Sequence, residues 1–175
     1  MTEWIGGRRP VAEAFEAGRE AHRLLVASSA RSSPELRAIT DRARREGIPT
    51  DRVPADQLTR MAGFDGHQGV ALEVGDRHWA TLGDVLAAAR ARGDDPFVLV
   101  LEHLQDVTNF GTLLRAAEAA GVDGVVFPER GAAPLNAAAV KASAGASEHL
   151  RLVRLPTIGE AIHELEHAGL RPVAA

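Results

Sequence analysis

The chain has 175 residues, a formal net charge of -4 and no cysteine. That length holds one domain or two small ones, each with a modest core. The missing cysteine excludes disulfides, thiolate metal sites and thiol nucleophiles, and the acidic balance excludes a polybasic wrapper of nucleic acid.

No apolar run approaches a membrane span, and the N-terminus "MTEWIGGRRP" lacks a signal-peptide apolar region. A cytoplasmic protein without a membrane partner is expected. Lys141 is the single lysine among twenty basic residues. Such arginine usage provides planar forks that match phosphate, or it reflects genome composition alone.

The elements follow in chain order. "PVAEAFEAGR" is helical, with Pro10 in its first turn. "HRLLVASS" predicts a strand. Pro34 opens the helix "PELRAITDRARREG", with Leu36, Ile39 and Ala43 on one face and Gly47 as its stop. A short extended piece "IPTDRVP", a short helix "ADQLTRMAG" and a strand "HQGVALEV" close a first α/β unit over residues 1–75. Residues 76–96 contain a helix and a charged turn, and read as a linker.

Residues 97–175 form the second unit. "PFVLVLE" is a continuous apolar run, expected of a strand buried on both faces of a parallel sheet. A helix over 109–120, the strand "GVVF", a helix near 135–146, the strand "LRLVRL", the helix "IGEAIHELEHAG" and an unfinished strand "RPVAA" follow. The alternation of strand and helix predicts a parallel α/β sheet.

Ligands of open α/β sheets bind outside the carboxyl ends of the strands. The loop 102–109 sits at such an end and carries Gln105, Asp106, Thr108 and Asn109. Asn109 suits the helix cap, its side-chain oxygen accepting a backbone N–H, while its amide can still donate to a ligand. Arg115 stands in an otherwise apolar helix, where positions 113, 114, 116, 117 and 120 are expected to face the sheet and neighbouring helices. An arginine there must reach a carboxylate, a phosphate or solvent. In "GGRR", Arg8 and Arg9 with the adjacent backbone N–H groups can receive phosphate, or merely lead into a helix.

"HELEH", residues 163–167, has the spacing of a zinc-protease helix. His163, Glu164, Glu166 and His167 fall away from the apolar face of Ile158, Ala161, Ile162 and Leu165, so a solvated face is expected and no metal. "KASAGA", residues 141–146, lacks the glycine spacing of a phosphate loop and suits close helix packing.

"LEHLQDVTNFGTLLRAAEAAGVDGVVFP" resembles the first signature of the SpoU (TrmH-like) RNA ribose 2'-O-methyltransferases. Asp106, Asn109, Gly111, Arg115, Ala117 and Gly121 stand at the matching places. "PLNAAAVKASAGASEHLRLVRL" is similar to the segment that follows, and "IGGRRPVAEAF" and "GFDGHQGVALEV" are similar to the RNA-binding domain preceding it in many members. The resemblance covers nearly the whole chain. It implies an N-terminal α/β RNA-binding domain followed by the first part of a knotted SPOUT parallel-sheet domain. The implied reaction is methyl transfer from S-adenosylmethionine to a ribose 2'-hydroxyl, expected in 23S ribosomal RNA at guanosine. Asn109 and Arg115 match the residues that line the site for the target ribose and its phosphate. Arg8, Arg9, His67 and Gln68 are the expected substrate contacts, although His67 and Gln68 between Gly66 and Gly69 also read as a turn. A homodimer is implied as well.

Two departures stand out. Val107 replaces the family's proline, which leaves the loop less restrained and removes no functional group. The later motifs, which build the knot around S-adenosylmethionine, do not occur before Ala175. The expectation is therefore a fragment or truncated product with no cofactor-binding residue of its own and a cofactor site mostly beyond Ala175. The alternative is a non-catalytic RNA-binding protein.

Overall fold

Two sheets organise residues 3–174, which the computed structural model describes. The first contains β1 (Glu3–Gly6), β2 (Ala21–Ala27), β3 (Thr50–Val53) and β4 (Val70–Val74), in the order β1-β4-β2-β3. β4 runs antiparallel to β1 and β2, so that Leu72 stands beside both Ile5 and Leu24, while β2 and β3 are parallel. Successive side chains of a strand point to opposite faces, and both faces of β2 are covered. Leu24 and Val26 face α1 (Arg8–Glu16) and α2 (Pro34–Arg45); Leu25 and Ala27 face α3 (Ala55–Ala62). This explains why "LLVA" is apolar without alternation.

The second sheet is parallel, in the order β5 (Val98–Val100), β6 (Gly124–Pro128), β7 (Leu152–Leu155). One face packs on α5 (Val107–Ala119) through Phe110, Leu114 and Ala117. The other packs on α4 (Leu82–Arg92) and α7 (Ile158–His167) through Leu82, Val85, Ile158, Ala161 and Leu165. α4 lies in the stretch 76–96, whose sequence reads as a linker. Its contact with β6 is close: a Cβ added to Gly124 would come within 2.4 Å of Val85 Cγ2.

β5 departs from expectation. Its residues are only half-buried, because it is an edge strand of the described sheet with β6 on one side. The helix expected near 135–146 is also shorter. α6 (Ala137–Ala142) ends where Ala144 (φ 54°) and Gly145 (φ 91°) turn left-handed, and a 3-10 turn (Ala146–Glu148) follows. Residues 170–174 have no regular structure, and Ala175 of the expected last strand lies outside the described residues.

The two units are joined by side chains. Val140 of α6 belongs to the same core as Ile5, Val11 and Leu24 of the first unit. Below it, the Glu148 carboxylate is fully buried and accepts from Arg19 Nη1 at 2.8 Å and from Arg77 Nη2. Arg19 also donates to Glu3 Oε2 at 3.1 Å and to the Gly75 carbonyl at 2.7 Å. Arg77 donates to the Ser147 carbonyl at 2.9 Å. Four charges and two carbonyls therefore close on one another, and among the described residues no buried side-chain nitrogen or oxygen is left without a hydrogen-bond partner, which is the condition for burying ions.

Candidate active site and nucleic-acid interface

α5 begins two residues earlier than its sequence suggests. Asp106, not Asn109, is the cap: its Oδ1 accepts the Asn109 backbone N–H at 2.6 Å. A carboxylate there also suits the positive end of the helix dipole. Asn109 becomes the third helical residue, with an exposed side chain that makes no hydrogen bond among the described residues. Its amide faces outward from the first turn.

Two residues on, Gly111 is buried where α5 crosses α6. A Cβ there would lie 2.4 Å from Ala142 Cβ and 2.6 Å from the Ala139 carbonyl oxygen. The motif glycine thus serves close backbone approach. The small residues of "KASAGA" serve it from the other side, and Gly145 does so again against Glu13 of α1. Their packing partners lie within the same chain.

Arg115 is exposed, together with Leu113, Ala116 and Ala120; of the positions expected to face inward, Leu114 and Ala117 do so. Arg115 lines a cleft of about 460 Å³ between the two units. Arg9 and Glu13 of α1 form its opposite wall, and Glu118 and His149 complete the charged rim. Glu13 is shared by Arg9 Nε at 3.5 Å and His149 Nε2 at 3.0 Å. Arg115 forms no ion pair among the described residues, which leaves its guanidinium available to an anion entering between the units. Asn109 is not part of this wall. Six helical positions separate it from Arg115, a rotation of roughly 120° around the axis, so the helix presents the two side chains in different directions.

The other expected contacts meet at one corner of the first sheet. Gln68 adopts a left-handed backbone (φ 53°) and its Oε1 accepts the Arg8 backbone N–H at 3.1 Å, capping α1 from 60 residues away. Arg8 is largely used in structure: it donates to Ser33 Oγ at 2.8 Å and to the Arg31 carbonyl at 3.2 Å. His67 is turned inward and buried, contrary to a role at the surface. Its Nδ1 accepts the Gly69 backbone N–H, so Nε2 carries the proton and donates to Thr59 Oγ1, each at 3.0 Å. Burial pushes the imidazole pKa down; Asp65 opposes this and Lys141 reinforces it. Arg9, by contrast, has a side chain 71% exposed. "GGRR" is thus no loop: Gly7 (φ 107°) is the cap and both arginines are helical.

Several residues that assemble these surfaces gave no local signal. Glu13, Arg19, Arg77, Glu148 and His149 are ordinary charged residues in sequence, and each has a partner more than 50 positions away. Lys141 lies over the Phe64 ring at 5.7 Å, bridging the units from the other side. "HELEH" lies on the exposed face of α7, with His163 and His167 rings stacked edge to face at 4.2 Å, and no cluster of metal ligands occurs among the described residues.

S-adenosylmethionine requires a slot that takes its adenine and donors for its ribose and carboxylate. The loop 128–136 after β6 offers the left-handed Gly131, open to solvent, and Glu129, which sits 3.9 Å from Arg154. The inter-unit cleft takes no residue from this loop or from 101–106 and 156–157 at the other strand ends.

Comparison with known proteins accounts for both units. The SpoU rRNA Methylase family matches residues 96–175, and the family of RNA 2'-O ribose methyltransferase substrate-binding domains matches residues 4–80. A putative TrmH family tRNA/rRNA methyltransferase of Bacillus subtilis is 30% identical over 168 residues, covering 96% of this chain and 67% of its own length. The 23S rRNA (guanosine-2'-O-)-methyltransferase RlmB of Xanthomonas campestris is 34% identical, covering 97% of this chain and 68% of its own. The share is smaller elsewhere: the chain spans 42% of an uncharacterised tRNA/rRNA methyltransferase of Synechocystis, at 29% identity. In fold, the chain is similar to the SpoU methyltransferase AviRb of Streptomyces viridochromogenes, solved with AdoMet, with a TM-score of 0.71 and 22% identity over 98% of this chain and 61% of that one. With a substrate-binding region followed by a methylase region, the chain belongs to the SpoU rRNA methylase family.

Proposed function

We propose that the chain acts in methyl transfer from S-adenosylmethionine to a ribose 2'-hydroxyl of RNA, with 23S ribosomal RNA as substrate and guanosine as the target nucleoside. The observation that carries this reading is the cleft shared by Arg9 and Arg115. It joins a residue of the substrate-binding region to the arginine of the methylase signature. The RNA specificity follows the named activity of the Xanthomonas relative.

A ribose hydroxyl is a poor nucleophile at neutral pH. It needs alignment and a cation near the developing alkoxide. Arg115 is suited to hold the neighbouring phosphate and stabilise that charge, and unsuited to remove the proton, because a guanidinium does not act as a base in proteins. Asn109, exposed on the first turn of α5, is assigned to the target ribose from the outer side. Arg9 receives the phosphate backbone at the opposite wall; Gln68 and Arg8 shape the adjoining corner. Residues 1–75 are thus assigned to substrate binding and 97–175 to the methylase domain. A cytoplasmic location and a homodimer complete the proposal; exposed Leu113 and Phe97 are apolar surface that a second copy would cover.

A second reading is RNA binding without methyl transfer, supported by the match of residues 4–80 to the RNA 2'-O ribose methyltransferase substrate-binding family. Calorimetry with S-adenosylmethionine and filter binding with 23S rRNA fragments separate the two. Binding of both ligands, with ribose-methylated nucleoside found after digestion, supports the enzyme. RNA binding without cofactor binding supports the second reading. Loss of both overturns the proposal.

A further inference from the structure

A second groove, of about 260 Å³, runs between α2 and β3 on the outer side of the first sheet. Val26, Ala30 and Leu36 supply apolar lining, and the polar lining comes mainly from two stripes. Arg37, Thr40 and Arg44 are spaced i, i+3, i+7 on α2 and so share one helix face. Thr50 and Arg52 are spaced i, i+2 on β3 and so share one strand face. Ser32 closes the end nearest the start of α2.

Three guanidinia and three hydroxyls therefore converge on one groove with no carboxylate and no aromatic ring in its lining. Asp51 alternates away from it and pairs with Arg23 at 2.6 Å on the other face of β3. Asp41 reaches Arg44 at 3.1 Å from outside the lining, and Arg37 is oriented by Ser32 Oγ at 3.0 Å. Arg52 forms no ion pair among the described residues. The inter-unit cleft, by comparison, sets two carboxylates against its two arginines.

We propose that this groove binds the sugar–phosphate backbone of single-stranded RNA, an inference that rests on reading the chain as a protein that acts on RNA. The arginines take phosphate oxygens; Ser32, which accepts from Arg37, can donate its own proton to a phosphate or ribose oxygen, while Thr40 and Thr50, whose hydroxyls donate to the Arg37 and Ile48 carbonyls, can accept from a ribose hydroxyl. Without an aromatic ring or a base-sized polar pocket, the contact is independent of sequence. The groove continues into the candidate substrate corner: the loop that supplies Ser32 is held by Arg8 through Ser33 and the Arg31 carbonyl, and Arg8 in turn is capped by Gln68. A strand lying in the groove is led along this loop toward the corner.

The test uses the full chain, a short labelled single-stranded RNA of mixed sequence, and salt from about 50 to about 200 mM. Each phosphate neutralised contributes roughly 0.7 to the slope of log affinity against log salt for single strands. R37A/R44A/R52A is expected to bind roughly tenfold more weakly at low salt, with a slope shallower by about 2. R37K/R44K/R52K is expected to keep most of the slope, which separates charge from any change in fold. Wild-type binding with an unchanged slope in the alanine variant overturns the groove and leaves the functional reading standing. No RNA binding by the wild-type chain overturns both. Equal competition by polyglutamate overturns the groove as an RNA site in favour of an acidic protein partner.

Discussion

Arg19 Nη1 lies 2.8 Å from Glu148 Oε2, a contact between residues 129 positions apart. It locks the substrate-binding unit to the methylase unit at a point where the Glu148 side chain has no exposure to solvent. With Arg77 and Glu3 it forms a closed set of four charges, so the angle between the units is held by hydrogen bonds as well as by apolar contact.

Glu148→Ala leaves Arg19 and Arg77 facing each other with only Glu3 between them. Removing one partner of a buried ion pair costs about 3 kcal/mol. Urea titration should show that loss, and limited proteolysis should cut faster near residues 75–80. An unchanged midpoint would show that water takes the place of the carboxylate without penalty.

Gly111→Ala should be destabilising despite the better helix propensity of alanine. The new methyl would press on Ala142 and on the Ala139 carbonyl, and neither belongs to a flexible side chain. Overpacking of this kind costs about 2 kcal/mol, to be read from the thermal midpoint. A stabilised variant would mean that α5 and α6 separate easily.

Arg115→Ala should leave stability within about 0.5 kcal/mol of the wild type, because the side chain is exposed and unpaired among the described residues. If the proposed reaction holds, methyl transfer should fall by about a hundredfold or more in the active protein. Wild-type turnover by this variant would remove Arg115 from the chemistry.

His67 predicts a pH dependence. Its folded pKa lies below the ordinary 6.5, so the unfolded chain binds the additional proton first. Stability from this group is complete above about pH 6.5 and is lost as pH falls toward the folded value. Protonation would abolish acceptance of the Gly69 N–H by Nδ1. The stability difference between wild type and His67→Asn, measured by urea titration, should shrink from about pH 7.5 to about pH 5.5. A constant difference would place the protonated ring in the fold without cost.

Local signals carried the elements well, because caps, stops and apolar periods act within a few residues. Pro34, the Leu36–Ile39–Ala43 stripe and the strand expected in "HQGVALEV" each match the structure, although β4 is buried nearly throughout rather than on alternate residues. The start of α5 was placed late for a physical reason: Asp106 has the same capping chemistry as Asn109, and it is Asp106 that accepts the backbone N–H of the first turn. The stretch 76–96 showed its helix but not its burial, since the apolar partners of Leu82 and Val85 come from β6, β7 and α7.

By itself, the sequence determined the family, most of the alternation of strands and helices though not β1, and the presence of Arg115 in an apolar helix. The signature residues are close enough in the chain for spacing to be informative. Only the tertiary structure decided that Arg9 and Arg115 share a cleft, that Asn109 faces elsewhere, that His67 is buried, and that Glu148 joins the units. Each of these depends on contacts closed across long stretches of chain, where the geometry of two packed sheets, rather than the period of one helix or strand, sets which side chains meet.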